Sequence, residues 1–99
     1  MINAQKELIY HINEEEVEVE FVSIAFQKEY GAEPLIIKGS LNDILPMLDF
    51  NYDNGYGGQE LFGYIWFTDG TWSERREYDG SEWWERKERP DKDIKVEPY

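Results

Sequence analysis

The stretch 60-ELFGYIWFTDGTWSERREYDGSEWWERKE-88 decides the fold. It reads as three consecutive antiparallel strands joined by two tight turns. Thr68-Asp69-Gly70 and Tyr78-Asp79-Gly80 each end in Asp-Gly, a strong short-range hairpin signal. β-Branched and aromatic residues fill the segments around them, including all four tryptophans, Trp66, Trp72, Trp83 and Trp84.

Loop length sets the register, and side chains alternate with period two, so it also decides which residues share a face. A two-residue loop in the first hairpin pairs Phe67 with Trp72, and a three-residue loop pairs Trp66 with Trp72. In the second hairpin, a two-residue loop sets Glu77 opposite Glu82 and Glu74 opposite Glu85, and directly opposed like charges are destabilising. Three-residue loops in both hairpins avoid this and pair Arg76 with Glu82. They place Phe62, Tyr64, Trp66, Trp72 and Trp84 on one face, among Glu74, Arg76, Glu82 and Arg86. Leu61, Gly63, Ile65 and Phe67 fall on the other, with Ser73, Arg75, Trp83 and Glu85. The aliphatic face is expected to be the core. The aromatic face is expected to be partly exposed, with arginine planes stacked on rings.

Upstream, Asn3 is a candidate N-cap for a short amphipathic helix over about 4–12, with Ala4, Leu8 and Ile12 on one side and Ile9 beside them. His11, the single histidine, reads as a partly exposed helix residue. Glu14-Glu15-Glu16 is expected to break the helix and lead into a strand over 17–26. On that strand Val17, Val19 and Phe21 face one way and Glu16, Glu18 and Glu20 the other, while Val22, Ile24 and Phe26 make the second half apolar on both faces. Gln27 to Pro34 forms a turn, and 35–38 a short strand closed by Gly39. Ser40 with Asp43 resembles a capping box opening a helix to about Leu48, kinked or divided at Pro46. The predicted order is α-β-β-α-β-β-β: a single α+β domain over 1–90 with helices against one sheet face, and a partly ordered tail over 91–99.

Composition narrows the function. The 99 residues carry 22 acids against 10 bases, a formal net charge of −12, and no cysteine. A direct nucleic-acid binder needs a basic footprint and an anionic membrane attracts basic segments, so both partners are excluded and a basic one is favoured. Without cysteine there is no disulfide framework or zinc–thiolate site. No apolar run approaches the length of a membrane span and the N-terminus does not read as a signal peptide, which together point to a cytoplasmic protein.

No catalytic motif appears, and the expectation is a binding protein rather than an enzyme. Asp49, Asn51, Asp53 and Glu60 occupy positions 1, 3, 5 and 12 of a calcium-loop pattern, but Asn54 stands where that loop has glycine, and Glu60 opens a strand. Gly55-Tyr56-Gly57-Gly58 lacks the lysine of a phosphate loop. The alternative function is a small calcium-modulated or glycan-binding module that uses the 49–60 loop and the tryptophan face, with Trp72 and Trp84 as a sugar-binding platform. Glu14, Glu16, Glu18 and Glu20, at alternate strand positions, would lie about 6.7 Å apart, an acidic ladder suited to a partner that grips phosphates. The alternative for the ladder is a solvated edge that uses charge against aggregation.

The segment 51–90, NYDNGYGGQELFGYIWFTDGTWSERREYDGSEWWERKERP, resembles small proteins encoded by bacteriophages and mobile elements. In size and charge the whole chain resembles the DNA-mimic inhibitors of such elements, among them anti-restriction and anti-CRISPR proteins. That second resemblance is of type and carries over no residue. It implies a host-defence inhibitor that occupies the basic channel of a nucleic-acid-handling host protein.

Overall fold

A computed structural model describes residues 1–29, 31–55 and 57–89; the tail over 91–99 lies outside them. The elements are β1 (Ile2–Asn3), α1 (Ala4–Glu15), β2 (Val19–Phe26), β3 (Leu35–Gly39), α2 (Leu41–Ile44) continued by a 3₁₀ turn (Leu45–Leu48), β4 (Asn51–Tyr52), β5 (Leu61–Phe67), β6 (Trp72–Tyr78) and β7 (Ser81–Lys87). Five strands form one antiparallel sheet in the order β3-β2-β5-β6-β7, and β1 pairs separately with β4. The α+β class and the C-terminal meander are as the sequence predicts. The β1–β4 ribbon, two residues on each side, was too short to leave a periodic signal. No helix among the described residues is long and apolar enough to cross a membrane.

Both helical segments pack on one face. Leu8 of α1, Ile44 of α2 and Leu48 of the 3₁₀ turn meet Val22, Ile24, Ile37, Leu61, Ile65 and Phe67 in one buried cluster. The aliphatic side of the meander is therefore the core. The Asn3 side chain accepts from the Lys6 amide at 3.0 Å and Ser40 from the Asp43 amide at 3.3 Å, so both predicted caps are present. The α-helix passes into 3₁₀ geometry at Pro46, the expected division.

Three sequence expectations need correction. Helix α1 does not break at Glu14; it runs to Glu15 and closes with Glu16 in the left-handed region (φ 56°), whose amide donates to the Ile12 carbonyl. Glutamate is a good helix former, and Glu15 gains a partner 3.3 Å away in Arg86. The predicted strand over 17–26 therefore starts only at Val19. Its register shifts between Val19 and Phe21, so Glu20 bulges and Phe21 turns to the open face, opposite Trp66. His11, expected at a partly exposed position, is buried and bonded to the Ser73 hydroxyl at 2.7 Å.

The third correction is the second hairpin. The first has the expected three-residue loop, with Trp66 opposite Trp72 and Gly70 at φ +87°. The second has a two-residue loop: Tyr78 faces Ser81, and Asp79 and Gly80 take φ 51° and 87°. Two consecutive positive φ values make the primed turn that matches strand twist, for which Asp-Gly is well suited. The opposed glutamates do not repel as expected because other groups neutralise them. Glu82 binds Arg75 in the interior, and Glu85 sits 3.2 Å from Arg76 and 3.4 Å from Lys87. All of β7 is inverted relative to expectation. Glu82, Trp84 and Arg86 face the core side, and Trp83 and Glu85 face outward.

Gly63 is required where β2 and β5 approach. Its φ is +154°, and a Cβ there would collide with the Ser23 carbonyl oxygen and lie 3.0 Å from Ile24 Cα. Gly63→Ala is expected to cost about 2–4 kcal/mol in urea unfolding, from backbone strain plus overpacking. Gly70→Ala, whose Cβ would meet open space, should cost about 1 kcal/mol, the left-handed penalty alone. Equal losses at the two positions would contradict the close approach.

Candidate functional site

The uncovered face of the sheet is the principal surface. With both helical segments on the other side, β2 contributes Phe21, β5 contributes Phe62, Tyr64 and Trp66, β6 Trp72 and β7 Trp83. Phe21, Phe62, Tyr64, Trp66 and Trp83 are exposed, and Trp72 is half-buried. The Tyr64 and Phe21 rings lie 5.7 and 5.8 Å from that of Trp66, so three rings form a contiguous patch. Toward β7 the face turns polar, where Arg76 and Lys87 hold Glu85.

The sequence-predicted residues divide across the fold. Glu14, Glu16, Glu18 and Glu20 are all exposed, but they occupy a helix, its cap, a linker and a bulge. The even ladder spacing expected of one strand is therefore lost. What remains is a dense acidic segment, with Glu15 among the four, leading directly into Phe21. The Thr68 amide donates to the Glu18 carbonyl at 2.9 Å, which ties that segment to the turn between β5 and β6. Trp72 lies on the open face, whereas Trp84 is 7% exposed in the core. The two do not form a platform, and Trp83 stands outward in place of Trp84.

Around 49–60 the four oxygen-bearing residues are turned toward protein donors. Asp49 and Asn51 accept from the Asn3 side-chain amide at 2.9 and 3.3 Å, Asp53 from the Gly55 amide at 3.1 Å, and Glu60 from the Asp53 amide at 3.3 Å. No three His, Asp or Glu side chains among the described residues converge as a metal site would require.

Beneath the sheet lies a buried polar network. The Arg75 guanidinium donates to Glu82 at 2.6 Å, to the Tyr52 hydroxyl at 2.7 Å and to Glu7 at 3.0 Å. It lies 5.1 Å from the Trp84 ring centre and 5.9 Å from that of Tyr52. Arginine–ring stacking thus occurs on the core side of the sheet rather than on the open face, with the half-buried Arg86 over Phe67 as a second case. Glu82 also accepts from the Glu60 and Leu61 amides at 2.8 and 3.1 Å, and the Tyr52 hydroxyl donates to Glu7. Two carboxylates thus face one guanidinium, with amides and a hydroxyl donating to them as well, while the buried Arg75 Nε has no acceptor among the described residues. Burial pushes the Tyr52 phenol well above its ordinary value, so it stays protonated as a donor.

Sequence reading placed Arg75 on the aliphatic face, and an arginine among Leu61, Ile65 and Phe67 was the available signal that a buried acid must meet it. Its partner Glu82 was assigned outward only because of the turn length.

Removing one member of a buried pair strands the other. Arg75→Leu is expected to lower unfolding free energy by about 3–5 kcal/mol by chemical denaturation. An effect below 1 kcal/mol would show that the network contributes little. Burial also pushes the His11 imidazole below its ordinary 6.5, only partly offset by Glu15 and Glu14. The unfolded chain therefore takes up the proton first. This contribution to stability is complete above about pH 6.5 and is lost progressively as pH falls below it. His11→Gln should flatten the pH dependence of Tm below 6.5; an unchanged slope would contradict a buried neutral histidine.

No protein-family model matches this chain, and comparison with curated proteins and with solved structures returns no significant match to either.

Proposed function

We propose that this chain is a non-enzymatic binding protein that docks the open aromatic face and the adjoining acidic segment on a basic, nucleic-acid-handling protein. It would act as an inhibitor of the DNA-mimic type, competing for the surface on which the partner grips phosphates. The observation that carries this reading is the exposed patch of Phe21, Tyr64 and Trp66 on a sheet face that no helix among the described residues covers, with the acidic segment Glu14 to Glu20 running in the chain straight into Phe21. Exposed contiguous rings of this kind mark interaction surfaces.

Charge selects the partner. A net −12 disfavours a second copy of the chain against this face and steers a basic protein toward it. The mimicry rests on charge density rather than on even spacing, because the glutamates do not lie on one strand. Aromatic anchors supply the short-range affinity, and the acidic segment supplies the approach.

The test is capture of host proteins on the immobilised chain, followed by displacement with excess duplex DNA and by variants. Trp66→Ser with Tyr64→Ser should weaken binding by about 100-fold or more, as expected for hot-spot rings. Glu16→Lys with Glu18→Lys should slow association about tenfold at low salt and have less effect at high salt. Duplex DNA should displace the captured partner. Simultaneous binding of DNA and this chain to the partner, or unchanged binding by both double variants, would overturn the proposal.

A further inference from the structure

Between α1 and the edge strand β7 lies a cavity of about 270 Å³ lined by Glu7, Tyr10, His11, Glu14, Trp83 and Trp84. His11 and Trp84 form its inner part, stacked with ring centres 6.4 Å apart, while Tyr10 and Trp83 are exposed at 66% and 40%. The Trp84 indole N–H has no acceptor among the described residues and almost no accessible surface, so it is not offered to the cavity. The walls are therefore aromatic, with Ile2 beside them, and Glu14 is the exposed carboxylate at the mouth.

The local charge is negative. Arg75, behind Trp84, is opposed by both Glu7 and Glu82, so that cluster sums to −1, and Glu14 adds a second negative charge at the mouth. His11 adds no positive charge near neutrality, because burial holds its imidazole below the ordinary value. The Glu14 carboxylate raises the neighbouring Tyr10 phenol above its usual value, as expected for two groups one turn apart on a helix. Aromatic faces with a carboxylate at the mouth suit a cation on an apolar stem. Rings accept the stem and the diffuse positive charge, and a carboxylate accepts its N–H donors.

We infer that this pocket is a receptor for one arginine side chain of the basic partner. The assignment rests on the proposed docking for the source of the arginine. Trp83 belongs to both surfaces, lying on the open side of β7 and lining the pocket. A partner spread across the sheet can therefore reach around the edge strand and place a side chain between Tyr10 and Trp83.

The probe is N-acetyl-arginine amide, with N-acetyl-citrulline amide as its uncharged isostere, followed through the tryptophan indole N–H signals by NMR. A single side chain without the rest of an interface should bind with Kd on the order of 1–10 mM. The expected result is a saturable shift of the Trp83 and Trp84 signals with the arginine probe and none with citrulline. Glu14→Gln and Tyr10→Ala, both at exposed positions, should each weaken that response at least fivefold while leaving the rest of the spectrum folded. Equal shifts from both probes, or no saturable shift from arginine, would overturn the assignment. Because no partner protein is present in this titration, its result stands whether or not the docking reading holds. Conversely, an unresponsive pocket leaves the DNA-displacement test unaffected.

Discussion

The guanidinium of Arg75 is the group on which the rest of the arrangement depends. A buried cation requires compensating acceptors, and here the three acceptors and the amides that support one of them come from four parts of the chain. Glu7 reaches from α1, Tyr52 from β4, Glu82 from β7, and the amides at the start of β5 complete Glu82. Desolvating an isolated charge costs several kcal/mol, so none of these segments can withdraw alone without stranding the others. The network therefore sets which way β7 faces. It draws Glu82 and Trp84 inward, and strand alternation then sends Trp83 and Glu85 out.

That constraint links the core to the proposed binding surfaces. With the helices committed to the side of Arg75, the opposite face of the sheet keeps its rings exposed. The bulge at Glu20 adds Phe21 to them. Stability is concentrated on one side of a thin two-layer fold, and the other side remains open for a partner. The pocket between α1 and β7 arises at the edge of the same network, where Glu7 serves Arg75 and lines the cavity.

Much of the fold was legible in the sequence, because the hairpin signals, the caps at Asn3 and Ser40 and the break at Pro46 are local. The first hairpin register was legible too. The second was misread because opposed glutamates were weighed as an isolated pair, when long-range partners neutralise them: Arg75 in the core, Arg76 and Lys87 outside. The same error moved Trp84 to the surface and Trp83 off it. Helix α1 was cut short because three consecutive glutamates look like a break when Arg86, seventy-one residues away from Glu15, is out of view. Of the candidate site, the exposed aromatic face was legible, while Phe21 was hidden by a bulge that leaves no pattern. The pocket at α1 and β7 was not legible, because its walls come from the two ends of the chain.

The central claim is that Arg75 holds β7 with Trp84 inside and Trp83 outside. Paramagnetic broadening by a soluble, uncharged gadolinium chelate tests it in one spectrum of the four indole N–H signals. The account requires Trp66 and Trp83 to broaden strongly and Trp84 to be protected. A spectrum in which Trp84 broadens and Trp83 is spared would restore the three-residue turn, place Glu82 at the surface and contradict the account.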